Sequence, residues 1–140
     1  MSAASYQALI EASIPALAAM KPEICEVTGD CVRVRLPIAG NGNDKGTLFA
    51  GAAYSALVIA GWLLVMERAR LSGFRAPWAA VVDAHCHYAK AIRTDAEAVA
   101  TFTEAPALVP GARNWPKVTV RMGEAVAFEG VYAVGERRDA

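Results

Sequence analysis

Asp83, His85 and His87 stand at alternate positions in the run Asp83-Ala84-His85-Cys86-His87-Tyr88-Ala89-Lys90. On an extended strand, alternate side chains project from one face, so a carboxylate and two imidazoles point the same way. A carboxylate beside an imidazole can take a proton from water. A face presenting one acid and two imidazoles is not a core face and must meet water, a ligand or a second subunit. The competing reading of this face is a polar seam between two copies of the chain. The spacing also suits zinc ligands, but ligands in a row on a flat strand converge poorly, and no metal is expected. The opposite face carries Val82, Ala84, Cys86 and Tyr88, small or apolar residues fit to pack on a helix. Cys86 there reads as a small hydrophobe and not as a reactive thiol.

A second constellation opens the longest apolar stretch of the chain, at Asn43-Asp44-Lys45-Gly46-Thr47-Leu48-Phe49-Ala50-Gly51. The first N–H groups of a helix lack partners and sit at the positive end of its dipole, so they can stabilise an oxyanion. Gly51 and the small Ala50 beside it allow a reacting carbonyl to approach that backbone. The plainer reading is that Gly51 relieves packing against a sheet. Asn43 can hold a water and Asp44 can orient one, or the pair can form an Asx-turn that only shapes the loop. Tyr54 and Ser55 follow one turn into the helix, and Ser55 has no base at a spacing that would make it a nucleophile. A serine in a buried helix more often bonds back to a carbonyl.

The elements that must position these groups follow from the rest of the chain. It has 140 residues, 55% hydrophobic and 20% charged, which suits one globular domain spanning 1–140. Fourteen basic and fourteen acidic side chains cancel, so no global field draws nucleic acid or an anionic membrane. The three cysteines fit no CxxC pattern, and Met1 to Tyr6 does not begin a secretory signal. Reduced thiols in the cytoplasm are expected, with a Cys25–Cys31 bridge as the less favoured alternative. The nineteen uncharged residues Leu48 to Met66 approach the length of a membrane span. Gly51 and Gly61 interrupt that stretch, and an all-round apolar helix also fits the centre of a soluble fold. No membrane partner is expected.

Around this helix, expected from Phe49 to Leu71 and stopped by Gly73, the pattern is one of strands. Ser5 to Ala19 is weakly helical, capped by Ser5 and broken by Pro15. Ile24 to Val27 and Val32 to Leu36 flank a Thr28-Gly29-Asp30 turn. In the second run Val32, Val34 and Leu36 alternate with Arg33 and Arg35. Four runs follow the helix: Ala79 to Lys90, Glu97 to Thr103, Lys117 to Met122 and Ala127 to Val134. A loop from Glu104 to Pro116 holds Pro106, Pro110, Gly111 and Pro116. Consecutive strands with short links favour an antiparallel sheet, and one long helix needs a sheet that curls around it. The class is α+β.

This order, with Asn43-Asp44-Lys45-Gly46 before Gly51 and with Gly61-Trp62 later in the helix, resembles the hotdog thioesterases. It is most similar to the thioesterase domain at the C-terminus of the acetyltransferase-like YiiD proteins, whose strand pattern Asp-x-His-x-x-Tyr-x-Lys matches Asp83 to Lys90. The resemblance covers about Pro37 to Phe102 well and the remainder by element order. It implies a hotdog fold, a homodimer or a dimer of dimers paired through the strand after the helix, and sites at the subunit boundary. By that analogy Asp83 is the leading general base or water-orienting residue there, and His85 its partner. It also implies hydrolysis of an acyl thioester carried by coenzyme A or an acyl-carrier protein, without a cofactor. On that footing Tyr54 and Ser55 would line an acyl channel, with Ala50 beside the thioester. Lys90 and Arg93 are placed for carrier phosphates, with Arg113, Lys117 and Arg121 as weaker candidates. Trp62, Trp78 and Trp115 read as core or interface anchors.

Two departures matter. Many hotdog thioesterases have His-Gly-Gly where this chain has Phe49-Ala50-Gly51, and many place an acid two turns into the helix where this chain reads Ala56-Leu57-Val58-Ile59-Ala60. The missing carboxylate supports an alternative, a hotdog module that binds an acyl group without turning it over. A dehydratase using His85 with Asp83 is a weaker third reading.

Overall fold

Residues 1–137 are described in a computed structural model. The elements are helix α1 (Ala3–Ser13), a short 3-10 turn (Pro15–Leu17), strands β1 (Glu23–Val27) and β2 (Val32–Leu36), helix α2 (Ala50–Leu71), and strands β3 (Pro77–Tyr88), β4 (Ala96–Phe102), β5 (Lys117–Met122) and β6 (Val126–Glu136). The strands form one sheet in the order β1-β2-β4-β5-β6-β3, with every neighbouring pair antiparallel. The sheet covers α2, which gives the hotdog architecture.

The inner face follows from alternation. Val32, Val34 and Leu36 are buried while Arg33 and Arg35 are half-exposed, and Val118, Val120 and Met122 are buried on β5. Against them lie Leu57, Leu63, Leu64 and Val65 of α2, all fully buried. By length and composition α2 could cross a membrane, yet 61% of its most apolar stretch is buried inside this fold. Gly61 has a specific cause. A Cβ there would stand 2.4 Å from the Tyr132 hydroxyl oxygen, and that hydroxyl donates to the Val58 carbonyl at 2.7 Å. The helix is stopped by Gly73 in the left-handed region, as expected, with the Phe74 N–H returning to the Ala69 carbonyl.

The end of α2 also holds a buried carboxylate. Glu67 is 3% exposed and accepts from Arg70 Nε at 2.6 Å and from the Tyr6 hydroxyl at 3.3 Å, which clamps α1 to α2. The cap of α1 differs from expectation. Ser2, not Ser5, is the N-cap: its oxygen accepts the Ser5 N–H at 3.1 Å, and the helix ends at Ser13, ahead of the Ile14-Pro15 pair. Cys25, Cys31 and Cys86 are all free thiols.

β3 lies at the end of the sheet and pairs only with β6. Its register breaks once. Val81 opposes Tyr132 and Asp83 opposes Val131, leaving Val82 as a bulge residue that is 56% exposed. The expectation that Val82 packs on the helix is thus corrected, because the bulge shifts the pleat and Val81 takes the inner position. From Asp83 onward the expected alternation holds, and Cys86, opposite the buried Phe128, packs against the core. Trp62 fastens α2 to this strand, its indole N–H donating to the Ala79 carbonyl at 2.9 Å. Trp62 and Trp78 are half-buried, whereas Trp115 is exposed and anchors no core.

Candidate active site

The loop before α2 is closed by its own amides. Asn41 is buried and donates through Nδ2 to the carbonyls of Pro37 at 2.7 Å and Met20 at 2.9 Å. Its own carbonyl accepts the Phe49 N–H at 2.8 Å. Asn43 Oδ1 accepts the N–H groups of Lys45 at 2.9 Å and Thr47 at 3.1 Å, and its Nδ2 donates to Thr47 Oγ1 at 2.8 Å. Leu48 N–H donates to the Ile92 carbonyl at 2.7 Å, bringing the segment after β3 to the same place.

Phe49 then caps α2 with no side-chain oxygen to offer. The first bond across the helix start runs from the Ala53 N–H to the Phe49 carbonyl at 3.0 Å. Among the described residues nothing accepts from the N–H groups of Ala50, Gly51 or Ala52. Donors without a partner at the positive end of a 22-residue helix are the setting in which an anion is favoured. The Phe49 ring lies across Gly51, where a Cβ would come within 2.6 Å of its Cε2. The group that a side chain here would meet is therefore an exposed ring and not the sheet.

This helix start opens on a cavity of about 240 Å³ lined by Asn43, Leu48, Ala50, Ala53, Tyr88, Lys90, Ile92 and Val126, among others. Its walls are chiefly apolar. The Tyr88 hydroxyl donates to the Ala50 carbonyl at 3.1 Å. Burial, aided by the neighbouring Cys86 thiol, pushes the Tyr88 phenol up to about 12, so at neutral pH it remains a donor. Lys90 extends its ammonium toward Glu124, 3.6 Å away.

The residues singled out in the sequence fall into two groups. Ala50 and Gly51 form the helix start, and Asn43 lines its cavity with both polar atoms engaged in shaping the loop. Asp44 points to solvent beside Lys45. Ser55 donates back to the Gly51 carbonyl at 2.9 Å, and the exposed Tyr54 ring meets Phe128 edge-on at 5.8 Å. Lys90 borders the cavity, and Arg93 is exposed on the link to β4. Asp83 and His85 lie elsewhere. They line a separate cavity of about 250 Å³ on the outer face of the sheet with Lys117, Glu129 and Thr103. The sheet stands between them and Gly51, so one chain does not unite the two constellations.

The cause is the strand period itself. Tyr88 and Cys86 face α2, and residues one step out of phase must face away. Tyr88 was read in the sequence as packing and as part of the Asp83-to-Lys90 pattern, and its contact with the helix start was not foreseen. The available signal was its place at the end of β3 on the same face as Cys86. Among the described residues no carboxylate lines the cavity at the helix start. Among the described residues no three His, Cys, Asp or Glu side chains are grouped to hold a metal.

Comparison with known proteins agrees with this architecture. The family model described as Putative thioesterase (yiiD_Cterm) matches residues 3–135. No curated protein matches the chain. A putative thioesterase from Shewanella oneidensis superposes with a TM-score of 0.79 at 21% identity, over 94% of this chain and 95% of the other. A protein of unknown function from Chlorobaculum tepidum gives the same score and identity over 96% and 94%. A thioesterase from Haemophilus influenzae is similar at a TM-score of 0.67 and 16% identity, over 96% and 90%. At these identities the likeness is one of fold.

Proposed function

The chain belongs to the putative thioesterase family named for the YiiD C-terminal domain, and from that premise we propose that it hydrolyses an acyl thioester at the start of α2. The observation that carries the reading is the helix start at Ala50, Gly51 and Ala52, whose N–H groups have no acceptor among the described residues and whose first residue, Ala50, borders a cavity with chiefly apolar walls. A thioester oxygen directed at these donors gains charge as water adds to the carbonyl carbon. Donors fixed beforehand stabilise that charge without reorganising. The carbon–sulfur bond then breaks, the proton lost by the water goes to the departing thiolate, and acid and thiol leave.

The carrier is coenzyme A or an acyl-carrier protein, with Lys90 and Arg93 on the side where phosphates would lie. The working unit is a homodimer joined through the open edge of β3. Supporting this are the exposed Val81 and Val82 on an edge strand and the partly exposed helix stripe of Tyr54, Ser55, Val58 and Trp62 beside it. One observation favours a second reading, a module that binds the acyl group without cleaving it: no carboxylate lines the cavity.

The deciding experiment follows the thioester absorbance of short, long and aromatic acyl-CoAs. Saturable loss on one chain class supports hydrolysis; binding without loss selects the second reading. Asp83→Ala belongs beside it. Collapse of turnover with acyl-CoA binding kept would make Asp83 the base, and full activity would remove it from the reaction.

A further inference from the structure

His85 and His87 are exposed on the outer face of β3, and Cys86 between them packs inward against the core. Among the described residues neither imidazole has a hydrogen-bond partner. His87 stands opposite Ala127, whose small side chain leaves the ring unobstructed, and His85 stands opposite Glu129. In the cavity that His85 lines, Asp83 and Glu129 set two carboxylates against the single ammonium of Lys117. That balance favours a cation. One chain nevertheless groups no three metal-ligating side chains among its described residues. Two imidazoles on one strand are half of a tetrahedral set.

The other half comes from a second copy. β3 has one open edge, and the bulge at Val82 divides it into two regular runs, the longer from Asp83 to Tyr88. The backbone settles which residues of that run face outward. Ala89 donates its N–H to the Ala125 carbonyl at 2.8 Å, so in this phase Asp83, His85 and His87 bond toward β6. Ala84, Cys86 and Tyr88 then direct their backbone groups to the open edge. Two copies joined there about a two-fold axis normal to the sheet present the same face on the same side. Only a register with Cys86 on the axis engages all three of these residues without crossing the bulge. It pairs Cys86 with its own copy and Ala84 with Tyr88 of the partner subunit. His85 then opposes His87 of the partner subunit, and the reverse pair repeats the contact across the axis. Both are pairs without ladder bonds between them, where Cα atoms approach to about 4.5 Å and side chains are closest. Four imidazoles thus surround one point on the axis.

We propose that His85 and His87 of two copies together hold one zinc ion on the two-fold axis of the dimer, on the outer face of the sheet. The inference rests on the homodimer joined through β3. Four nitrogen donors suit zinc and leave no open position for water, so the ion is structural and fastens one β3 to the other. Glu129 is placed to accept the second ring N–H of His85, which fixes the nitrogen turned to the ion. The cavity at the start of α2 lies on the other side of the sheet, so the metal holds the dimer and takes no part in the reaction.

The test uses the full chain, freed of metal by a chelator. Zinc is titrated by calorimetry, and cobalt(II) is added to read the ligands by absorbance. One ion per two chains is expected, with the visible bands of tetrahedral cobalt and no thiolate charge-transfer band. His85→Ala and His87→Ala should each weaken zinc binding by about a hundredfold or more, and Glu129→Ala by about tenfold. These side chains are exposed, so circular dichroism should not change. In sedimentation, zinc should lower the concentration at which dimers dissociate, and should not do so in His87→Ala. A dimer that takes up no zinc would overturn the proposal and leave the dimer standing. A chain that stays monomeric with and without zinc would overturn the dimer itself, and the site with it. One ion per chain, or binding that survives both histidine substitutions, would put the metal elsewhere and also overturn the proposal.

Discussion

The Tyr88 hydroxyl donates to the Ala50 carbonyl at 3.1 Å, tying the last residue of β3 to the first residue of α2. That bond fixes the peptide whose neighbours carry the unpaired N–H groups. Tyr88→Phe keeps the ring and removes only the tie. We expect about a tenfold fall in kcat with KM little changed, since the donors then wander relative to the carbonyl. Stability should fall by about 0.5–1.5 kcal/mol. The phenol is raised to about 12, so the bond is intact below pH 10 and is lost as pH climbs through 12. A rate profile from pH 7 to 9 should therefore show no step from Tyr88.

Gly51 and Phe49 give a second test. A Cβ at 51 meets the Phe49 ring at 2.6 Å, but that ring is 55% exposed and can swing away. Gly51→Ala should change stability by no more than about 0.5–1 kcal/mol, near the range for exposed sites. It should still lower kcat/KM by about tenfold or more, because the methyl group stands where the thioester carbonyl approaches. If adding Phe49→Ala restored activity, the glycine would serve only the ring.

The open edge of β3 makes Val82 the place to test the proposed dimer. Val82→Lys puts a charge on the bulge, where an incoming strand would have to bury it. Sedimentation should show monomers of unchanged circular dichroism, with turnover lost in proportion. A fully active monomer would show that one chain holds the whole site.

Inside the fold, Gly61→Ala should cost about 1–3 kcal/mol by overpacking against Tyr132, read from urea midpoints. Tyr132→Phe added to it should recover part of that loss, since the closest contact, 2.4 Å, is to the hydroxyl oxygen. Burial also raises the Tyr132 phenol, and burial with Glu67 nearby raises Tyr6 to about 12. Both are raised above the ordinary value of 10, so their contribution is complete below pH 10 and declines above it, that of Tyr6 being lost as pH rises through 12 and that of Tyr132 higher still. Urea midpoints should fall over that window, and less steeply in Tyr132→Phe.

The elements were readable where a period repeats without interruption. Val32–Leu36 and Lys117–Met122 fold with the bounds their alternation suggests, and α2 begins one residue from the expected Phe49. Asn43 adopted the Asx-type bonding weighed for it. What stayed hidden depends on contacts distant in sequence. The bulge at Val82 is set by pairing with β6, and no local pattern announces it. Alternation did tell that the face of Asp83 turns away from α2, since Cys86 and Tyr88 were expected on the helix side, but only the sheet order decides that Lys117 and Glu129 lie beside it. Ser2 displaced Ser5 as the cap because the helix starts three residues earlier than a cap at Ser5 implied.

The pairing of β3 with β6 has a consequence for synthesis. At Pro77 the ribosome has delivered α2 and begins β3, but the partner strand starts only at Val126. For the interval in which β4 and β5 are made, β3 emerges with both edges bare, a risk common to non-local strand pairing. Asp83, His85 and His87 then act as gatekeepers, placing polar groups on alternate residues of a nascent strand that would otherwise read as Val, Ala, Cys and Tyr. A cluster chosen by its chemistry can thus owe its place to solubility during translation.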